Sequence, residues 1–391
     1  MHTRAKKQPA GGLFGIGKLM EFHPLVYGYS NARVRAMRPQ LLSKRQAEDL
    51  LRVKTSAAVI EYLSRTAYKN DFSGLPPKIT DEERIELAVS RNFARTAQKL
   101  LRITPAKDKA LLAAFLNRYD VHNLKSILLS KKLGRTKEEA QSLLVPAGSM
   151  TMQELSSLQN AKGADDFFAI LRGTLFGGKF LTSASIRHIP RDQVKSLFHN
   201  PSDSTKLDLF IAALDFYYYE MASSMVDNGG AGTDARAISH LLRSEADAKN
   251  IITILRLKRS GADKKTIMEH MVGGGGLSRA SLEKICSAKD LHESLGLASS
   301  FFMSQTGRDE FSSAEQRYKA DSQLSHFEVV FERSMARRSL HALKRSTMSI
   351  GAIIGFFFLK EEEMSNIQKI ARGKSLGLAP EKIAEMLVLV S

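Results

Sequence analysis

Three carboxylates in this chain each stand three residues ahead of an asparagine: Asp120 before Asn123, Asp247 before Asn250 and Glu363 before Asn366. On a helix that spacing puts both side chains on one face. An acid and an amide make no acid/base pair, because the amide has no proton to exchange near neutrality. What they can do is accept and donate hydrogen bonds. A buried polar group left without a partner costs about 1–3 kcal/mol. The expectation is therefore that each pair ties its helix to a neighbouring loop or helix end. Other chemistries lack their residues. The run Gly273 to Gly276 is no Walker loop, because no Gly-Lys-Ser/Thr closes it and no strand precedes it. It reads as a flexible loop after a helix. None of the ten histidines belongs to a His-Glu-x-x-His pair, and His122 gives way to Lys249 and Ser365 in the matching positions, as a local variant would. Cys286 is the single cysteine, which excludes an internal disulfide and a multi-cysteine zinc site. No catalytic, cofactor-binding or metal-ligating residue is expected, and no cofactor.

The elements that carry these pairs repeat. Asn123, Asn250 and Asn366 are each followed eleven residues later by a glycine (Gly134, Gly261, Gly377) and eleven after that by a valine (Val145, Val272, Val388). Apolar residues recur eight before the Asn (Phe115, Leu242, Phe358) and one and four after it (Leu124, Ile251, Ile367; Ile127, Ile254, Ile370), which is one helical face. Lysine stands eight after it in every copy (Lys131, Lys258, Lys374), where a cation suits the negative end of a helix. The glycine then suits the left-handed conformation that ends the helix. Each copy reads as a helix, a glycine turn and a second helix, preceded by another long helix. The copies are too long for a stacked solenoid, whose repeats run to about 20–50 residues. Three small bundles about a rough threefold are expected.

Three- and four-residue apolar spacing predicts helices over 41–62, 81–101, 106–133, 205–226, 235–259, 322–345 and 347–372. Strand and hairpin signals are missing, so the fold class is all-α. Breaks fall at Gly74 to Pro77, Pro146 to Gly148, Asn228 to Gly232 and Gly273 to Gly276, with Pro190 and Pro201 bracketing another turn region. The division expected is a basic flexible tail over 1–24 and helical subdomains over 25–165, 166–290 and 291–391. The longest apolar run, Met348 to Leu359, is twelve residues. A bilayer span needs about 20, so the run is expected to be a buried helix. Tyr217 to Tyr219 lie within one helix and point several ways, so one is expected in the core and one exposed.

Of 391 residues, 43% are hydrophobic and 25% charged, ordinary for a globular protein. The net charge of +17 favours anionic partners such as nucleic acid, an anionic membrane surface or an acidic protein. The cations cluster at Arg33, Arg35 and Arg38, at Lys44-Arg45, at Arg256 to Arg259, and at Arg337-Arg338 with Lys344-Arg345. Solvated helix faces account for such clusters. Attraction to anionic lipid is the functional alternative. Aromatic residues do not interleave with them, and no zinc-finger or RNP pattern is present, so nucleic acid is not the expected partner. A basic helical nucleic-acid-binding protein is the second reading, and it rests on charge alone.

With the repeats on the page, the run Tyr27-Gly28-Tyr29-Ser30-Asn31-Ala32-Arg33-Val34-Arg35-Ala36-Met37, the run Tyr119-Asp120 to Asn123-Leu124-Lys125 and the run Glu363 to Asn366-Ile367 together resemble the C-subunit family of V-type/A-type ATPases and ATP synthases, known as the d-subunit in vacuolar pumps. The resemblance covers about Leu25 to Leu389, and the archaeal-type members look closer. It implies a funnel of three similar helical subdomains without catalytic activity. It also implies a place on the cytoplasmic, inner face of the membrane, with the proteolipid ring and the central-stalk shaft proteins as partners. The acid–Asn pairs, Lys125 and the three glycines are then structural or interface candidates, the interface reading being that the pairs line the central opening and touch the shaft. Arg33, Arg35, Arg38, Arg337 and Arg338 are the basic surface candidates. The basic tail and the overall positive charge exceed what the resemblance leads one to expect.

Overall fold

The computed structural model describes residues 23–183, 185, 204–228, 233–301, 305–345 and 349–389. Among them there are helices and no strand, so the chain is all-α. In chain order the helices are α1 His23–Met37, α2 Lys44–Arg52, α3 Ser56–Leu63, α4 Asp81–Ile103, α5 Lys109–Lys132, α6 Lys137–Ser142, α7 Met152–Asn160, α8 Ala164–Gly173, α9 Leu175–Phe180, α10 Ser204–Asn228, α11 Thr233–Arg259, α12 Lys264–Glu269, α13 Arg279–Cys286, α14 Leu291–Ala298, α15 Gln305–Asp321, α16 Ser325–Arg345, α17 Ile350–Ser375 and α18 Pro380–Met386.

The single helix read over 41–62 is two helices. Ser43 caps α2 and forms a capping box with Gln46; Thr55 caps α3 by accepting from Ala58 N. The apolar spacing runs on through the bend because caps, not glycine or proline, make the break. The run 348–359 is helical from Ile350 and mostly buried, while Met348 lies outside the described residues. Most of the expected tail lies outside them too, as do Pro190, Pro201 and residues 229–232.

Six long helices form a closed circuit. Each copy contributes a leading helix (α4, α10, α16) and a following helix that carries the acid–Asn pair (α5, α11, α17). Within each copy the two pack together, and each following helix packs on the next copy's leading helix: α5 on α10, α11 on α16, and α17 back on α4. The last contact joins the end of the chain to its beginning. The core reflects this closure. One cluster runs from Tyr27 through Phe93 and Phe115 to Phe357 and Ile383. A second, smaller cluster gathers the outer half of α11 with α12 to α16, including Ile254, Leu282, Leu295 and Phe327.

Candidate functional site

The acid–Asn pairs build the same lock three times. Asn123, Asn250 and Asn366 each donate from Nδ2 to the carbonyl of the valine 22 residues on, at 2.8, 2.9 and 2.8 Å. Each accepts that valine's N–H on Oδ1, at 2.7, 2.8 and 2.9 Å. One buried amide thus satisfies both backbone groups of Val145, Val272 or Val388. Between Asn and Val, Gly134, Gly261 and Gly377 take φ of +61°, +79° and +67°. The following residue's N–H reaches the carbonyl five residues earlier, as in Arg135 N to Ser130 O at 3.0 Å, which ends the helix in a Schellman turn.

The acid holds the next helix by its entry. Asp120 accepts from Ser149 N and Met150 N at 2.8 and 2.9 Å, just before Thr151 caps α7. Asp247 accepts from Gly276 N and Leu277 N, both at 2.9 Å, just before Ser278 caps α13. Burial pushes both carboxyls up, and these N–H donors hold them down in part. The lysine holds the same helix by its exit. Lys131 donates to Gln159 O and Ala161 O at 2.7 and 3.0 Å, and Lys258 to Cys286 O at 2.9 Å and to Ala288 O.

The third copy completes the pattern with residues from the start of the chain. Glu363 accepts from Leu42 N, just before Ser43 caps α2. Lys374 donates to Leu51 O at 3.0 Å and to Val53 O. So α2 stands to α17 as α7 stands to α5 and α13 to α11. The longer Glu363 also accepts from Tyr68 Oη and Lys360 Nζ, both at 2.5 Å.

Gly273 to Gly276 form a loop after α12, as the sequence reading has it, and Asp247 constrains its far end. A Cβ on Gly275 would lie 2.3 Å from Asp247 Oδ1, and one on Gly148, at the same place in the first copy, 2.3 Å from Asp120 Oδ1. The loop is drawn against a carboxylate and has no room for a side chain there.

A second site lies where the three following helices meet. The residues five before each Asn are Arg118, Glu245 and Glu361. Arg118 Nη2 is 2.9 Å from Glu245 Oε2 and Nη1 is 3.4 Å from Glu361 Oε2. Equivalent positions of three copies thus come together as one cation between two carboxylates. The side chains keep 14%, 23% and 22% exposure. Phe115 and Phe358, equivalent residues one turn earlier, stack edge-on at 6.1 Å, and the Arg118 guanidinium lies 4.9 Å from the Phe358 ring. Tyr119 donates to Glu361 Oε1 at 2.6 Å and Tyr219 to Glu245 Oε1 at 3.3 Å. Burial works against the Arg118 charge, but Glu245, Tyr218 and Glu361 more than offset it and raise its pKa. Burial raises the Glu361 carboxyl despite Arg118 and Tyr119. Beside it Glu362 is pushed up to about 8, first by burial and then by Glu332 and Glu361, and its Oε2 has no hydrogen-bond partner among the described residues. Further along, the helices are interleaved: Asp215 on α10 bridges Lys125 of α5 at 2.5 Å and Lys249 of α11 at 3.3 Å. The triad escapes sequence reasoning because its members differ in type. Its equal offset from each Asn is the one signal that could have found it.

Such a centre holds charge and shape. Among the described residues no group of three His, Cys, Asp or Glu could hold a metal ion. A family model described as ATP synthase (C/AC39) subunit matches residues 30–386. The chain belongs to that family. It is similar to the A-type ATP synthase C-subunit of Haloferax volcanii, at 26% identity over 93% of this chain and 97% of that one. Those of Methanosarcina mazei (27%, 93% of each) and Methanosphaera stadtmanae (28%, 95% of this chain and 89% of that one) are comparable. As a member of the C/AC39 family the chain is an accessory part of a rotary complex, not its catalyst. No helix among the described residues is long and apolar enough to cross a membrane.

The basic candidates of this C/AC39 chain divide. Arg33, Arg35 and Arg38 are exposed at α1 and its end. Arg337 is spent on Glu310 in a two-point pair at 2.8 and 2.6 Å, and Arg338 donates to Ser244 Oγ across to α11, so neither is a spare surface charge. Tyr217, Tyr218 and Tyr219 are all buried. The expected exposed tyrosine is absent because α10 is covered by α5 and α11 and by Phe176 and Phe180 of α9, whose rings lie 5.3 and 5.5 Å from Tyr217. His122 is held against Leu143 O at 3.1 Å, and burial lowers its pKa.

Proposed function

We propose that this C/AC39 chain is the non-catalytic central-stalk adaptor of an A-type rotary ATP synthase or ATPase. It seats the rotor shaft on the proteolipid ring of the membrane sector and passes torque between them. The observation that carries the reading is the closed circuit of six long helices, locked three times in the same way around the Arg118–Glu245–Glu361 centre. Torque needs a part that does not shear. Close-packed helices resist deformation, and a closed circuit has no free end at which to open. Three equivalent surfaces around one axis suit a partner that lies on that axis. The relatives' name supplies the complex, and the resemblance supplies the ring and the shaft. The protein then works as a peripheral component on the cytoplasmic face, where Arg33, Arg35 and Arg38 face anionic lipid headgroups or acidic loops.

The test is purification of the native complex followed by cross-linking mass spectrometry. Cross-links to the proteolipid and to the shaft proteins are expected. A complex that lacks either partner, or a chain that binds duplex DNA with a steep salt dependence in preference to both, refutes the reading.

A further inference from the structure

The seam that closes the circuit contains a cavity of about 310 Å³ between α4, α17 and the residues that follow α1. Its wall is cationic. Arg95, Lys99 and Arg102 recur on α4 at four- and three-residue spacing and so share one face. Lys360 of α17 joins them. Met37, Leu41 and Phe356 supply an apolar side.

The charges do not balance. Arg95 is matched by Asp71 at 2.9 Å, and Lys360 by Glu363 at 2.5 Å. Lys99 and Arg102 have no partner among the described residues. Lys360 is only 4% exposed and is engaged already, donating to Tyr68 Oη at 3.0 Å and to Glu363 Oε1, with its ammonium 4.5 Å from the Tyr68 ring. The cavity is therefore lined by two cations without an ion-pair partner among the described residues, Lys99 half-buried and Arg102 exposed.

A phosphomonoester fits that description. It carries about −1.5 to −2 charge at pH 7 and three acceptor oxygens, and Arg and Lys are its usual partners. The volume is at the lower end of the roughly 300–1,000 Å³ typical of small-molecule sites, which suits a small carrier. The geometry points to this cavity as a binding site for a small phosphomonoester, held by Lys99 and Arg102 with its carrier against Phe356. The site stands apart from the adaptor reading and is indifferent to its outcome. Because its walls come from both the early and the late chain, an occupant also fastens the seam.

The experiment uses the full chain at low salt. Glycerol 3-phosphate is titrated calorimetrically into the wild type, Lys99→Gln, Arg102→Gln and, as a control of equal charge change, Lys284→Gln at an exposed position on α13. Circular dichroism confirms that each variant is folded. Saturable binding is expected, weakened about tenfold or more by either cavity variant and less than twofold by the control, with a rise in melting temperature that those two variants lose. A parallel arm floats the same proteins with vesicles of phosphatidic acid in phosphatidylcholine. Capture that depends on Lys99 and Arg102 only in the vesicle arm assigns the phosphate to a lipid headgroup; dependence only in the calorimetric arm assigns it to a soluble ester. No saturable binding in either arm, or equal weakening by Lys284→Gln, overturns the proposal.

Discussion

Replacing Arg118 by methionine tests whether the three copies are held together at their centre. The change keeps most of the side-chain length and removes the charge. It deletes the contacts to Glu245 at 2.9 Å and Glu361 at 3.4 Å, and the hydrogen bond to Phe115 O at 3.2 Å. Breaking a buried pair by removing one partner costs about 3–5 kcal/mol. The 14–23% exposure of these side chains lets water offset part of that, so about 2–4 kcal/mol is expected. The loss must depend on pH. The Glu361 carboxyl is already raised by burial, with Arg118 pulling it down; without the guanidinium it rises further. A carboxyl raised in the folded state ionises first in the unfolded chain, so stability falls with pH from the unfolded value up to the folded one. The variant should therefore be closest to wild type at acid pH, where the carboxyl is protonated folded and unfolded alike, and worst on the alkaline side. Adding Glu361→Gln should restore part of the loss at pH 8. Urea unfolding followed by circular dichroism across that range measures it. A loss under about 1 kcal/mol that is flat with pH, against the few kcal/mol a buried pair is worth, would show that the triad holds nothing together.

Three further outcomes follow from the locks and their surroundings. Asn250→Ala strands both backbone groups of buried Val272, and at about 1–3 kcal/mol per stranded group chemical unfolding should show a loss of roughly 2–6 kcal/mol; a loss within error would break the lock argument. Gly275→Ala drives a Cβ into Asp247 and should cost about 1–3 kcal/mol, whereas Gly273→Ala meets nothing within 4 Å and should be near neutral in the same assay. Glu362, with its carboxyl pushed from 4.5 up to about 8, is protonated in the folded chain near neutrality. Its ionisation cost should appear as pH rises from about 4.5 and be complete above 8, so thermal melts of Glu362→Gln should overtake wild type at pH 8.5 and lose that advantage at acid pH; equal slopes for the two proteins would remove the assignment.

What was legible in the sequence is what the locks fix locally. Asn and Val are 22 residues apart because one amide must reach one peptide unit across a glycine turn of set length, and a fixed reach leaves a fixed spacing. The lysine eight residues on is legible for the same reason. Glu363 and Lys374 were visible as members of the pattern, but their partners were not. Leu42, Leu51 and Val53 lie more than three hundred positions away, and no periodicity within a copy points to them. Thr55 was the available sign that 41–62 bends, masked by unbroken apolar spacing. Arg337 and Arg338 read as surface charge because their partners, Glu310 and Ser244, come from other helices.

The lock made by Glu363 on Leu42 spans 321 residues. On a ribosome adding about 5–20 residues per second, that is roughly 16 to 64 seconds between the emergence of one partner and the other. For that time α2 exists with its apolar side uncovered and its entry N–H groups unclaimed. The first two copies can lock while translation continues, since each draws only on its own segment. The third cannot, so the nascent protein remains an open horseshoe until its final helices are made, and the early helices are where a chaperone would find it.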